Sequence, residues 1–235
     1  MGFSIARQQF WQGAKDLLPL ASGVVPFGLI TGANGVALGM PIEQVIAMTI
    51  LFYAGSAQLI TYQLIQDNAA FFMIFLTSIV INLRFAIYSM ALSPLISPLA
   101  KRYRFPLAYL LSDQAYALSS MPEKMQQNPT QRLWYYVGAA FNQWFIWVVS
   151  VIAGTIIGVR IPEYLSLEFT IPLAFLAMLV STISNRQLFI VALISGSCAA
   201  VAQFLPYNLG FIVAVTSGVL AGLMLSHFIT VRGVN

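Results

Sequence analysis

Charge is the property that this sequence has least of. Only 8% of its 235 residues are charged, whereas hydrophobic residues make up 59%. A soluble domain carries roughly 25% charged residues, so this chain cannot cover its surface with groups that water solvates. The scarcity excludes a soluble globular domain. It predicts an all-α integral membrane protein, because a helix satisfies its backbone polar groups within the segment.

Cysteine and histidine are also scarce, with one of each in the chain. A single cysteine cannot form a disulfide framework, and the ligands of a zinc site are missing. An intramembrane aspartyl protease needs two aspartates in apolar segments, and only Asp113 qualifies. The sequence therefore predicts no enzyme, no metal site and no cofactor. The longest basic run is KRYR at 101–104, too short to predict nucleic acid as a partner.

Apolar segments dominate what remains, and crossing a bilayer takes about 20 residues. Short connections with Pro, Gly, Asn and Asp separate them. No change in composition marks a second domain, so we predict one transmembrane domain over 1–235, with 1–16 as a cytoplasmic or interfacial segment. The expected fold is a polytopic bundle of seven to eight segments, from candidates at roughly 17–38, 42–66, 69–93, 105–121, 133–158, 169–184, 187–204 and 208–230.

Two of these segments are irregular. The first contains LPLASGVVPFGLITGANG, whose prolines and glycines predict an interruption of the helix. The fourth, 105–121, would reach only about 25 Å as a helix and includes a carboxylate. We therefore expect the first segment to be broken or re-entrant, with the fourth as a second candidate. The second segment is expected to be an unbroken helix with Thr49, Tyr53, Ser56 and Gln63 on one face.

The basic residues favour a topology in which both irregular segments return to the side from which they entered. Of the 11 Lys and Arg, nine then lie on the side of the N-terminus, including the cluster at 101–104. Only Arg160 lies on the other side, and Arg84 is within a segment. Because basic residues accumulate in cytoplasmic loops, this arrangement places 101–104 in the cytoplasm.

Arg84 and Asp113 are ionisable residues of opposite sign deep within apolar segments. An arginine near the bilayer centre costs about 2.5–3.5 kcal/mol on insertion scales, so it normally faces a partner or a wet cavity. We predict that the two residues pair, either as a structural tie between helices or as part of a polar path. Other candidates to line this path are Tyr53, Ser56, Gln58, Asn82, Tyr116 and Asn142.

A break in the first segment would supply a second polar feature. Free N–H groups near Pro26 and Gly28 would bind a carboxylate, as helix ends inside membranes do. The glycines also have another interpretation. GLITG at 28–32 and GTIIG at 154–158 have the spacing of small residues at close helix contacts.

Four motifs, by their order and spacing, resemble the AzlC family of branched-chain amino acid permeases and exporters. They are KDLLPLASGVVPFGLITG at 15–32, FYAGSAQLI at 52–60, INLRFAIYSMALSP at 81–94 and LSDQAYAL at 111–118. The motif residues carried over by position are Asp16, Pro19, Gly23, Pro26, Gly28, Tyr53, Gly55, Gln58, Asn82, Arg84, Tyr88 and Asp113.

The resemblance implies a multi-pass protein of the bacterial inner membrane that exports valine, leucine and isoleucine, with methionine as a further candidate substrate. It also implies a small AzlD-type membrane protein as partner, with assembly into an oligomer left open. Without a long coupling loop, secondary transport is favoured. The alternatives are a channel or structural subunit without alternating access, and the permease component of an ATP-driven system. The family often has His at Phe85 and Glu at Gln114, so two titratable groups are missing here.

Overall fold

The structure is a computed structural model that describes residues 2–159, 179, 183, 185–205 and 209–232, apart from the side chains of 2, 3, 209, 211, 212 and 227–232. Every regular element within these residues is an α-helix. The helices are α1 (Gly2–Ala37), α2 (Ile42–Phe52), α3 (Gly55–Gln66), α4 (Phe71–Ile96), α5 (Lys101–Tyr109), α6 (Asp113–Ser119), α7 (Pro122–Met125), α8 (Pro129–Gly158), α9 (Arg186–Ala202) and α10 (Leu209–Arg232).

Three of the described helices are long and apolar enough to cross a membrane: Ser4–Ala37, Phe71–Ile96 and Pro129–Gly158. Shorter apolar helices follow at Ile42–Phe52, Arg186–Ala202 and Val213–Ser226. The predicted all-α membrane class is confirmed. The number of crossing segments stays a prediction, because most of the segment at 169–184 lies outside the described residues.

Helices α1 and α8 run parallel and in close contact, because glycines remove the side chains between them. Gly13 of α1 lies against Tyr135 of α8, and Gly32, farther along α1, lies against Val151, farther along α8. The two helices therefore run in the same direction. The small-residue spacing of GLITG and GTIIG therefore serves helix packing, as predicted. An added Cβ would come within 3 Å of the other helix at Gly13, Gly28, Gly32, Gly138, Gly154 and Gly158.

The predicted break in the first segment is wrong, since α1 continues through Pro19 and Pro26. A proline removes one backbone hydrogen bond and clashes with the preceding turn, which costs about 3 kcal/mol in a helix. Neighbouring helices and hydroxyl groups offset such losses in membrane helices. Here α8 packs along the glycine face of the same helix and stabilises it.

The break lies in the second segment instead. Helices α2 and α3 form a hairpin, since Thr49 and Gln58 are hydrogen-bonded to each other although nine residues separate them. At 1.5 Å per residue the 11 and 12 residues of the arms reach only about 16 and 18 Å, less than the hydrocarbon core of a bilayer. The expectation of one unbroken helix with its polar residues on one face is therefore wrong.

The fourth segment is broken, in agreement with its prediction as the second candidate. Helix α5 ends at Tyr109 and α6 begins at Asp113, with non-helical residues between them. The first segment is the continuous helix and the second is the broken one, the reverse of the prediction. If the first segment crosses the membrane and the second returns, α4 keeps its predicted direction across the membrane. The placement of 101–104 in the cytoplasm stays a prediction.

The chain divides into two compact units, Met1–Tyr62 with Ser78–Ala174, and Gln63–Thr77 with Phe175–Asn235. The first holds the α1–α8 pair, the hairpin, α5 to α7 and most of α4. In the second, α9 and α10 pack together, and the Ser195 hydroxyl donates to the Ala214 carbonyl at 2.8 Å. The expectation of one transmembrane domain stays a prediction.

Candidate functional site

The predicted pair of Arg84 and Asp113 is present in the first unit. Nη1 of Arg84 lies 2.8 Å from Oδ2 of Asp113, and Nη2 donates to the Ser56 hydroxyl at 2.6 Å. The exposed fractions of the arginine and aspartate side chains are 28% and 34%. The pair is thus only partly buried.

Three helices position these side chains. Arg84 stands near the middle of α4, 12 positions before its last residue, Ile96. Asp113 is the first residue of α6, and the Ser112 side chain caps that helix by accepting from the Ala115 N–H at 3.3 Å. Because Asp113 lies in the first turn of α6, its carboxylate also benefits from the positive end of the helix dipole.

Ser56 reaches the arginine because the hairpin reverses at Tyr53. This residue has φ 41° and ψ 46°, the left-handed region that residues other than Gly seldom adopt. Such a conformation costs about 1–3 kcal/mol and is concentrated at functional sites. The Tyr53 side chain is buried, and its ring lies 5.9 Å from that of Tyr109. The strain brings the start of α3 to the ion pair.

Aromatic side chains surround the site on several elements. The rings of Tyr88 and Tyr116 stack with centroids 4.3 Å apart. Tyr109 accepts from the Trp144 indole N–H at 2.9 Å and donates to the Ile50 carbonyl on the hairpin. These contacts tie the hairpin, the break before α6 and helix α8 together around the charges.

The ion pair does not use all of its hydrogen-bonding capacity. Within the described part of the chain, Nε of Arg84 and Oδ1 of Asp113 are buried and make no hydrogen bond, although the Tyr88 hydroxyl lies near the carboxylate. Leaving buried polar atoms unpaired costs about 1–3 kcal/mol each, and more for charged groups. A ligand with both an anionic and a cationic group would complement this arrangement.

Of the residues predicted for the site, Tyr53, Ser56, Arg84, Asp113 and Tyr116 are brought together. Gln58 is instead enclosed within the hairpin, where Nε2 donates to Thr49, at 2.9 Å, and to Tyr62, at 2.7 Å. Its hydrogen bonds hold α2 against α3.

The remaining predicted residues lie elsewhere. Asn142 donates to the Gly138 carbonyl of its own helix at 2.8 Å, and an added Cβ on Gly28 would meet that of Ser150 at 2.6 Å. Pro26 is exposed within the continuous α1. Asn82 precedes Arg84 by two positions, which is about 200° around α4 and so nearly the opposite face.

Asp16, one of the motif residues, belongs to a second polar cluster. Its carboxylate accepts from the Tyr135 hydroxyl at 2.8 Å and lies 3.6 Å from Nζ of Lys124. The lysine side chain is buried, with Nζ 4.1 Å from the centroid of the Tyr135 ring. These contacts join α1, α7 and α8.

Sequence reasoning missed Tyr109 and Trp144 as part of the site. Both are common residue types for a membrane helix, and only the reversal at Tyr53 brings the Ile50 carbonyl to Tyr109. The break at residues 110–112, which the structure shows directly after Tyr109, explains the role of this residue, because non-helical backbone within a membrane requires polar partners.

Comparison with known proteins decides the family. The family model described as AzlC protein matches residues 19–161, more than half of the chain. The chain belongs to the AzlC family. Over 225 residues it is 28% identical to Inner membrane protein YgaZ of Escherichia coli (strain K12), an alignment that covers 91% of this chain and 87% of the relative. No solved structure matches.

Family and fold together establish the class of this AzlC protein. It is a multi-pass inner-membrane protein, with three described helices long and apolar enough to cross the bilayer. Membership of the AzlC family indicates membrane transport. The expected absence of enzymatic activity stays a prediction.

Proposed function

We propose that this AzlC protein exports branched-chain or similar apolar amino acids by secondary transport, with the zwitterionic part of the substrate bound at Arg84 and Asp113. The observation that carries the proposal is the 2.8 Å contact between Arg84, in the middle of a helix long enough to cross the membrane, and the carboxylate of Asp113. An amino acid presents one carboxylate and one ammonium group on the same carbon. A paired arginine and aspartate are complementary to both.

The substrate carboxylate would bind the guanidinium group, whose fixed planar donors suit carboxylates. The start of α3 supports this placement, because the first N–H groups of a helix have no partner within it and Ser56 already contacts Nη2. The substrate ammonium would bind Asp113, where Oδ1 makes no hydrogen bond within the described residues. A bound substrate would thus replace the ion pair between Arg84 and Asp113 by two ion pairs, one between its carboxylate and Arg84 and one between its ammonium group and Asp113.

Alternating access is supported by where the contact residues come from. Ser56 belongs to the short hairpin, Arg84 to the long helix α4, and Asp113 to the short helix that follows the second break. Movement of either broken element would open the site without disturbing the close α1–α8 pair. Broken helices around a central site are a recurrent feature of secondary transporters.

The side-chain preference and outward direction follow the resemblance to AzlC exporters. Valine, leucine and isoleucine are the proposed substrates, with methionine as a further candidate. A small AzlD-type membrane protein, and assembly into an oligomer, are part of the same proposal. Because Phe85 and Gln114 do not titrate near neutral pH, proton coupling is not assigned to these positions.

Amino acid retention tests the proposed function. A strain that lacks the protein and is fed valine-containing dipeptides is expected to accumulate valine, and the full chain should restore its release. Arg84→Gln should not restore release. Arg102→Gln is the matched control, since Arg102 is an exposed arginine on α5 that lies over the ring of Tyr103.

Equal valine retention with and without the wild-type chain would contradict export. Release that stops on ATP depletion while the ion gradients are maintained would favour the ATP-driven alternative. Release that follows the valine gradient alone, without saturation, would favour a channel.

A further inference from the structure

Helices α4 and α6 both continue from the ion pair toward aromatic residues. Tyr88 follows Arg84 by four positions on α4, and Tyr116 follows Asp113 by three on α6. Residues at these spacings share a helix face one turn apart. The stack of Tyr88 and Tyr116, at 4.3 Å and 16° between the ring planes, shows that the two faces meet just beyond the charges.

Phe85 extends this stack into a three-ring ladder. Its ring meets that of Tyr88 edge-on, with centroids 6.1 Å apart and planes at 86°. The Arg84 guanidinium carbon lies 5.1 Å from the Phe85 centroid. The aromatic ladder Phe85–Tyr88–Tyr116 therefore begins at one charge of the pair and passes beside the other.

Other neighbours of the ion pair are polar. They are the hydroxyl of Ser56 at the start of α3 and the capping residue Ser112. An apolar group placed there would remove these groups from their polar partners, with no hydrogen bond in return. A bound zwitterion would therefore direct an apolar side chain toward the ladder.

We propose that the aromatic ladder is the wall that contacts the apolar side chain of the substrate and sets its size. This inference rests on the proposed function and adds the residues that select among amino acids. All three rings are partly exposed, and the Phe85 ring lies against the Arg84 guanidinium. Behind them lies a closed apolar layer that includes Leu92, Leu111 and Ala115, which holds the rings in place.

The ladder explains selection by contact area rather than by polar recognition. A leucine side chain would lie on the ring faces, whereas the methyl group of alanine would leave them largely uncovered. One methylene in an apolar pocket changes discrimination about 10–200-fold. Loss of one ring should thus lower the preference for leucine over alanine by about tenfold or more.

The test uses efflux of labelled leucine, alanine and phenylalanine from membrane vesicles of cells that express the full chain. Tyr116→Ala is expected to raise KM for leucine about tenfold, to leave KM for alanine nearly unchanged, and to improve relative transport of phenylalanine. Tyr116→Phe keeps the ring and should keep the wild-type preference. Tyr103→Ala, on the exposed face of α5, is the matched control and should match wild type.

The outcomes separate the ladder from the proposed function. If the wild-type chain moves none of the amino acids, both proposals are overturned. If wild type transports leucine selectively and Tyr116→Ala keeps its leucine-to-alanine ratio, the ladder alone is overturned. Should Tyr116→Ala fail to reach the membrane, Tyr88→Leu decides on the same ratio, which must fall if the ladder selects substrates.

Discussion

Removing one partner of the central ion pair should destabilise the protein more than removing both. Asp113→Asn leaves the permanent charge of Arg84 within the membrane without a counter-charge. Arg84→Gln leaves the carboxylate of Asp113 in the same position. The double variant has neither charge, so no uncompensated ion remains within the membrane.

The burial of the pair sets the magnitude. Breaking a fully buried pair costs about 3–5 kcal/mol, whereas an exposed pair contributes about 0–1 kcal/mol. With side chains 28% and 34% exposed, each single variant should lose about 2–3 kcal/mol, between these limits. The double variant should lie within about 1 kcal/mol of wild type, because replacing both charges by neutral groups is often nearly neutral.

Unfolding of the purified chain in mixed detergent micelles measures these differences. Arg102→Gln controls for the loss of an arginine from an exposed helix face and should leave stability unchanged. The double variant should recover stability yet remain inactive in valine release. Equal stability of both single variants and the double variant would refute the reasoning, because the pair would then contribute no coupling between α4 and α6.

Three further results are expected. Gln58→Leu should lower stability by about 2–3 kcal/mol in the same unfolding assay, since it removes the bond to Thr49 and the partner of the buried Tyr62 hydroxyl; an unchanged midpoint would contradict this. Gly32→Leu should prevent accumulation of folded protein, because a side chain there overlaps α8, whereas Gly23→Leu has open space and should accumulate normally on a membrane-protein blot. A cysteine at Ser97 in a Cys198→Ala background should resist an impermeant thiol reagent on spheroplasts, and rapid labelling would place the 101–104 cluster outside.

In the first segment, local sequence propensity predicts the wrong structure. Pro19 and Pro26 predicted a break from local propensity, yet α1 is continuous. The glycines, which also predicted an interruption, are what allow α8 to approach this helix. Local propensity and tertiary packing thus give opposite predictions for the same residues, and packing along some 20 residues outweighs about 3 kcal/mol for each proline.

The reversal at Tyr53 could not be read from the pattern at all. Its own side chain disfavours the left-handed backbone that it adopts, and no proline stands nearby. The turn exists because Thr49 and Gln58 pair across the hairpin and because Tyr109 bonds to Ile50 from a distant part of the chain. Each of these contacts depends on partners that sequence spacing does not reveal.

The sequence by itself determined the membrane class and the central ion pair. Scarce charge requires lipid as the surrounding solvent, and a lone deep cation requires the lone deep anion as its partner. Only the tertiary structure decided which segment breaks, which polar residues reach Arg84 and which rings line the site. The physical reason is that the cost of placing charge in lipid applies to any fold of the chain, so composition reveals it. The direction of a side chain instead depends on how individual helices pack.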